Sequence, residues 1–134
     1  MHAIFKDAEI FSTYTRQQAI DDGVLIDVTE KAKEVGFSIH TVVTAAVWNE
    51  CVAWFDDDTR RQLYQDESGR LWDVLYMAIV SAKSRPNASE SLYKLYCVPR
   101  DGRSKHPRLQ QLMLHVGPGD NAEPVITIML PNED

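Results

Sequence analysis

The chain of 134 residues has no apolar run approaching the roughly 20 residues that cross a bilayer as a helix, and its longest apolar stretch, around Leu75 to Val80, is far shorter. A membrane-spanning helix is excluded, and no membrane partner is expected. Cysteine is scarce: Cys51 and Cys97 stand far apart, without Cys-x-x-Cys spacing, and are expected as buried thiols rather than a disulfide. His2, His40, His106 and His115 are equally scattered, and none has the spacing of a zinc ligand pair, so no metal and no cofactor is expected. The first eleven residues carry Lys6, Asp7 and Glu9 where a signal peptide would have an apolar core, so a cytoplasmic location is expected. Basic residues are absent after Arg108.

What is present describes one globular domain over residues 1–134, with 44% apolar residues and a net charge of −6. A chain of this length buries roughly two-thirds of its unfolded surface and needs neither disulfide nor metal to fold. Charge is unevenly spread: residues 1–58 carry a net −7, residues 59–108 a net +5 and residues 109–134 a net −4. A single-signed face results if these segments pack apart in space.

Thr15-Arg16-Gln17-Gln18 has the form of a capping box and predicts a short helix to Asp22, ended by Gly23. Val24 to Val28 reads as a short strand, and Thr29 as the cap of a second helix, Glu30 to Val35, ended by Gly36. Ile39, Val43, Val47, Cys51 and Trp54 recur at spacings of three and four, which predicts a long helix from Ile39 to Phe55. Trp48 lies off that stripe, either as a second contact surface or packed against another element. Asp56-Asp57-Asp58 ends this helix, Thr59 to Gln62 caps another reaching Tyr64, and Asp66 to Gly69 forms a polar turn.

Leu71 to Lys83 fits a helix through Leu71, Val74, Leu75, Ala78 and Ala82, yet its composition also suits a buried strand; length favours the helix. Leu92 to Val98 alternates as a half-buried strand, with Tyr93, Leu95 and Cys97 on one face. Leu109–Val116 and Val125–Leu130 are expected to pair as an antiparallel hairpin with an eight-residue loop around Gly117-Pro118-Gly119-Asp120. The expected class is α+β, N-terminal helices packed on a small C-terminal antiparallel sheet of about three strands. The edges of such a sheet leave a homodimer open.

Candidate binding residues come in two groups. Tyr14, Thr15 and Arg16 stand at a helix start, where free N–H groups favour an anion and Arg16 adds a bidentate donor; an ordinary cap is the plainer reading. Arg70, Trp72 and Asp73 form a polar and aromatic cluster of interface-rich types, with Trp72 in the core as its plainer reading. Asp21, Asp22, Asp56, Asp57 and Asp58 are the candidates for an acidic surface. Arg100 to Arg108 is basic but lacks interleaved aromatics, so nucleic acid is not the expected partner. Cys51, His40 or His115, and Asp73 supply the residue types of a catalytic triad, but no spacing supports one and no catalytic residue is assigned.

Three blocks, Thr13-Tyr14-Thr15-Arg16 through Val28, Gly69-Arg70-Leu71-Trp72-Asp73-Val74-Leu75, and Gly117-Pro118-Gly119-Asp120 with Glu123 to Pro131, resemble a family of short bacterial, plasmid and phage proteins of unknown function. The resemblance implies small size, a cytoplasmic setting and association with mobile elements, and brings no catalytic residue, cofactor or substrate. The reading favoured over an enzyme is a binding or regulatory accessory protein that engages a host protein through its acidic surface. The alternative is a small enzyme or ligand-binding domain with a pocket lined by Tyr14, Arg16, Arg70 and Asp73.

Overall fold

A computed structural model of the chain describes residues 14–133. Helix α1 (Arg16–Asp21) begins as expected: the Thr15 hydroxyl accepts from the Gln18 N–H and the Gln18 side chain accepts from the Thr15 N–H. Gly23, at φ +78°, takes the left-handed turn that ends it. Strand β1 (Leu25–Asp27) follows, then α2 (Thr29–Val35). Thr29 does not cap α2. Its N–H and hydroxyl both donate to Asp27, at 2.9 and 2.6 Å, because a carboxylate two residues upstream reaches the first free donors better than a hydroxyl already inside the helix.

The long helix expected from Ile39 to Phe55 is absent. Thr41–Thr44 forms strand β2, Ala45–Val47 a single helical turn (α3), and Trp48–Val52 a π-helical turn in which the Ala53 N–H reaches back to the Trp48 carbonyl at 2.7 Å. All four β2 residues are buried, so the strand lacks the alternation that marks a half-exposed one. Val43, Val47 and Cys51 are all in the core, and their four-residue spacing spans three elements rather than one helix. Trp48 packs against that core.

Asp56-Asp57-Asp58 does not end a helix but begins one, α4 (Asp56–Arg61), with three carboxylates in the first turn and the Asp58 side chain accepting from the Phe55 N–H. Glu67–Ser84 is one helix, α5, capped by Asp66 through the Gly69 N–H; the expected polar turn is its first turn. Helix therefore prevails over strand for Leu71 to Lys83. Trp72, 40% exposed, lies on its outer face, while Leu71, Val74, Leu75 and Ala78 face inward.

Strands β3 (Glu90–Cys97), β4 (Arg108–Pro118) and β5 (Pro124–Met129) form the expected antiparallel set. The β4–β5 loop is five residues, 119–123, since pairing continues to Pro118 and Pro124. Register places Leu114 opposite Ile128 and Val116 opposite Ile126, so the apolar residues of both strands share the core face. The sheet is larger than expected, with five strands in the order β1-β2-β5-β4-β3. β2 pairs parallel with β5 and antiparallel with β1, making the sheet mixed. The class is α+β, with helices mostly N-terminal and strands mostly C-terminal. The core lies between one sheet face and α2, α5 and the π turn.

Ile128 is fully buried where β5 meets β2 and β4. Ile128→Ala is expected to lower unfolding free energy by about 2–5 kcal/mol, whereas Val80→Ala on the exposed face of α5 changes it by less than about 0.5 kcal/mol. Urea unfolding followed by tryptophan fluorescence measures both.

Candidate functional site

The candidate residues do not converge: Arg16 lines one cleft, Arg70 and Asp73 another, and Tyr14, Thr15 and Trp72 line neither. At one, Arg16 joins α1 to the sheet: Nη1 donates to Thr127 Oγ1 at 2.8 Å, Nη2 to the Ile126 carbonyl at 2.6 Å and Nε to His40 Nδ1 at 3.3 Å. An arginine only donates, so His40 accepts at Nδ1, carries its proton on Nε2 and donates to Asp27 at 3.2 Å. Both imidazole nitrogens are thus engaged within the protein. The helix start is also taken: Asp120 accepts from the Arg16 and Gln17 N–H groups at 2.8 and 3.1 Å. The anion that the sequence leads one to expect at this helix start is the protein's own carboxylate. Tyr14 sits outside this cleft, its hydroxyl donating to Asp22 at 3.0 Å.

The second cleft, about 300 Å³, opens between α5, the end of β3 and the 98–107 segment, and is lined by Cys51, Arg70, Asp73, Tyr96, Cys97 and Lys105 among others. Arg70 is 4% exposed. Its guanidinium donates to the carbonyls of Val52 at 3.1 Å and Val98 at 3.0 Å and to Gln65 Oε1 at 2.8 Å, and stacks over Trp54 at 4.6 Å. No carboxylate lies within ion-pair distance of it among the described residues. Partial burial pushes the Asp73 carboxyl up from its ordinary value, with the Arg70 charge working against it.

Cys51 and Cys97 meet in this cleft, both as free thiols. The neighbouring Cys97 thiol raises Cys51, which burial raises further. The Cys51 thiol in turn lowers Cys97; burial opposes this and the Arg70 charge assists it. Of the triad types, Cys51 and Asp73 share the cleft, but His40 lies in the other one and His115 on β4, outside the cleft. Nothing in the sequence brings two cysteines so far apart together; the π turn that places Cys51 had been absorbed into an expected helix. Gln62 was likewise expected to cap a helix. It is instead buried, donating to the Pro99 and Ser104 carbonyls and accepting from the Gly102 N–H, so it shapes the wall of the cleft.

The acidic candidates are largely engaged within the chain. Asp57 pairs with Arg60 and Arg61 at 3.0 and 3.2 Å, and Asp58 with Arg100 at 2.9 Å, while Arg100 also stacks over Phe55 at 4.3 Å. Asp22 accepts from Tyr14, and Asp21 from the Gln17 side chain at 3.0 Å. The basic segment after Arg100 is folded on itself, with Asp101 accepting from Arg103 and Ser104. No three His, Cys, Asp or Glu side chains among the described residues gather as a metal site requires. No helix among them is long and apolar enough to cross a membrane.

Two outcomes are expected. Arg70→Met leaves buried carbonyls without donors and lowers stability by about 2–4 kcal/mol, read from urea unfolding. Asp27 lies below its ordinary 3.8: burial raises it, but hydrogen bonds from Thr29 and the neighbouring His40 together outweigh that. A depressed folded value means a contribution fully present above the ordinary value and lost as pH falls through the folded one. Urea midpoints measured from pH 7 downward therefore fall below about pH 4, and Asp27→Asn makes that fall shallower.

No curated protein and no solved structure matches the chain. A family description does match, over residues 1–134. The match spans all three motif blocks, two of which the Arg16 and Asp120 contacts join and one of which supplies Arg70. The chain belongs to DUF6573, a family of unknown function.

Proposed function

We propose that this is a binding or regulatory protein, not an enzyme, and that it takes an extended segment of a protein partner along the outer edge of β3. The observation that carries this reading is the edge itself. Among the described residues β3 ends the sheet, and one side of its backbone has no neighbouring strand there. Beside it runs a groove of about 350 Å³ lined by Asp73, Tyr76, Met77, Lys94, Tyr96 and Leu109. Tyr76, Tyr96 and Leu109 are 50%, 67% and 54% exposed. Large apolar side chains grouped beside a free strand edge are what strand addition uses: main-chain bonds supply affinity and adjacent pockets take alternate side chains.

Charge favours a protein partner over a second copy of this chain. Lys94, Lys105 and Arg108 surround the edge without an ion pair among the described residues. Two copies joined at β3 with Lys94 facing Lys94 would bring like charges together, whereas a segment with Asp or Glu beside its apolar residues would complement Lys94, Lys105 and Arg108. The acidic-surface reading is weaker, since Asp57 and Asp58 are paired with arginines. The four-residue pocket reading is weaker too, since Arg16 and Arg70 lie in different clefts. An accessory role in a mobile element, as the family resemblance implies, is compatible with capture of a host protein segment.

A phage-displayed library of unstructured peptides tests the proposal. Peptides with a large apolar residue flanked by Asp or Glu are expected to be enriched, and Tyr76→Ala with Tyr96→Ala to weaken the best of them at least about tenfold with folding unchanged. Absence of enrichment, or affinity indifferent to both substitutions, overturns it. A concentration-dependent dimer abolished by Tyr96→Lys would instead assign the edge to a second copy.

A further inference from the structure

Cys51 and Cys97 are placed by one side chain. Arg70 donates to the carbonyl of Val52, the residue after Cys51, at 3.1 Å, and to the carbonyl of Val98, the residue after Cys97, at 3.0 Å. The same guanidinium therefore fixes the π turn and the end of β3 relative to each other. The thiols these segments carry line one cleft, and Cys97 packs against the core cluster that contains Cys51. They differ in access: Cys51 is 1% exposed, whereas Cys97, the last residue of β3, is partly exposed at the cleft rim. Strand alternation turns Cys97 to the side of Tyr93 and Leu95, toward Cys51.

The electrostatic setting distinguishes the two sulfurs. Arg70 is a buried cation with only neutral acceptors in hydrogen-bond contact among the described residues, so a neighbouring thiolate is the negative charge its environment favours. Charge on Cys97 is favoured by the neighbouring Cys51 thiol and by the Arg70 field. Cys51, the deeper of the two, remains the neutral partner.

We propose that Cys97 and Cys51 form a peroxide-responsive thiol pair, with Cys97 as the attacking sulfur and Cys51 as the resolving one, closing to a disulfide across the cleft. With hydrogen peroxide as oxidant, the Cys97 thiolate attacks one oxygen. The O–O bond breaks, Cys97 becomes a sulfenic acid, and the leaving hydroxide takes up a proton as the first water. The Cys51 sulfur then displaces the hydroxyl from Cys97. The S–S bond forms, and the Cys51 proton leaves with that hydroxyl as the second water. Two thiols are oxidised and one peroxide is reduced to two waters. A dithiol reductant reverses the closure by thiol–disulfide exchange. The inference is independent of strand addition at β3, although the cleft and the groove share Asp73, Leu95 and Tyr96.

The test uses the full chain, reduced and then treated with hydrogen peroxide, with intact-mass measurement and peptide mapping. The wild type is expected to lose two hydrogen atoms, to yield a Cys51–Cys97 cross-linked peptide as a monomer, and to recover with dithiol reductant. Cys51→Ser is expected to stop at the sulfenic acid on Cys97, trapped by a 1,3-diketone probe, and Cys97→Ser to take up neither label nor cross-link. An unchanged wild-type mass, a cross-link between two molecules only, or modification of Cys51 ahead of Cys97 would overturn the proposal. The wild-type map decides it even if the Cys51 variant does not fold.

Discussion

A guanidinium buried at 4% exposure is tolerable only where its donors are all met, and around Arg70 they are met mainly by main-chain carbonyls of segments distant in sequence. This is the contact on which one half of the fold depends. The π turn leaves the Glu50 and Val52 carbonyls facing inward, the chain after β3 leaves that of Val98, and α5 brings in the donor that satisfies all three. Trp54 closes the arrangement with its ring face. An aliphatic side chain in the same place would fill the volume but leave those carbonyls without partners, which is the more costly fault in a low-dielectric interior.

Arg16 performs the corresponding task at the central strand of the sheet. It ties the first helix to β5, while Asp120 returns from the β4–β5 loop to hold the first N–H groups of that helix. The three sequence blocks around Arg16, Arg70 and Asp120 each contribute one of these polar fixtures. They read in the sequence as binding residues because the same residue types, an arginine beside free N–H groups and an arginine beside aromatics, serve a ligand and the fold's own backbone equally well.

What was legible in the sequence follows from where a single element explains its own pattern. The Thr15 capping box and the alternation of Tyr93, Leu95 and Cys97 are local signals, and each is found where it was expected, whereas the turn expected from Gly117 begins only after Pro118, because strand pairing runs on to Pro118 and Pro124. Thr41 to Thr44 was illegible because a strand buried on both faces loses its period of two, and the valine and cysteine beyond it completed a helical period by coincidence. Val24 to Val28 was expected as a short strand and contains β1, but its pairing into the sheet went unrecognised because its partner β2 falls in the stretch whose spacing predicts a helix. At the candidate site, Arg70 and Asp73 could be picked out by type, but the meeting of Cys51 with Cys97 depends on a π turn and a sheet edge that no local pattern encodes. The pairing of the acidic run with Arg60, Arg61 and Arg100 was half local: two of those arginines are neighbours in one helix, and the third arrives from a loop.

The position of β5 sets the order in which the molecule can be completed. It lies between β2 and β4, so the strand nearest the C-terminus is the one that joins an early hairpin-like pair, β1 with β2, to a later one, β4 with β3. Until it is made, a nascent chain holds two fragments of sheet with their inner edges bare, and helix α5 has only part of its floor. The parallel β2–β5 pairing also closes the largest loop in the sheet, which makes it slow to find. β5, the last of the described strands in chain order, is therefore the keystone, and a chain in which it has not yet paired exposes two sticky edges where the folded one has none between β2 and β4.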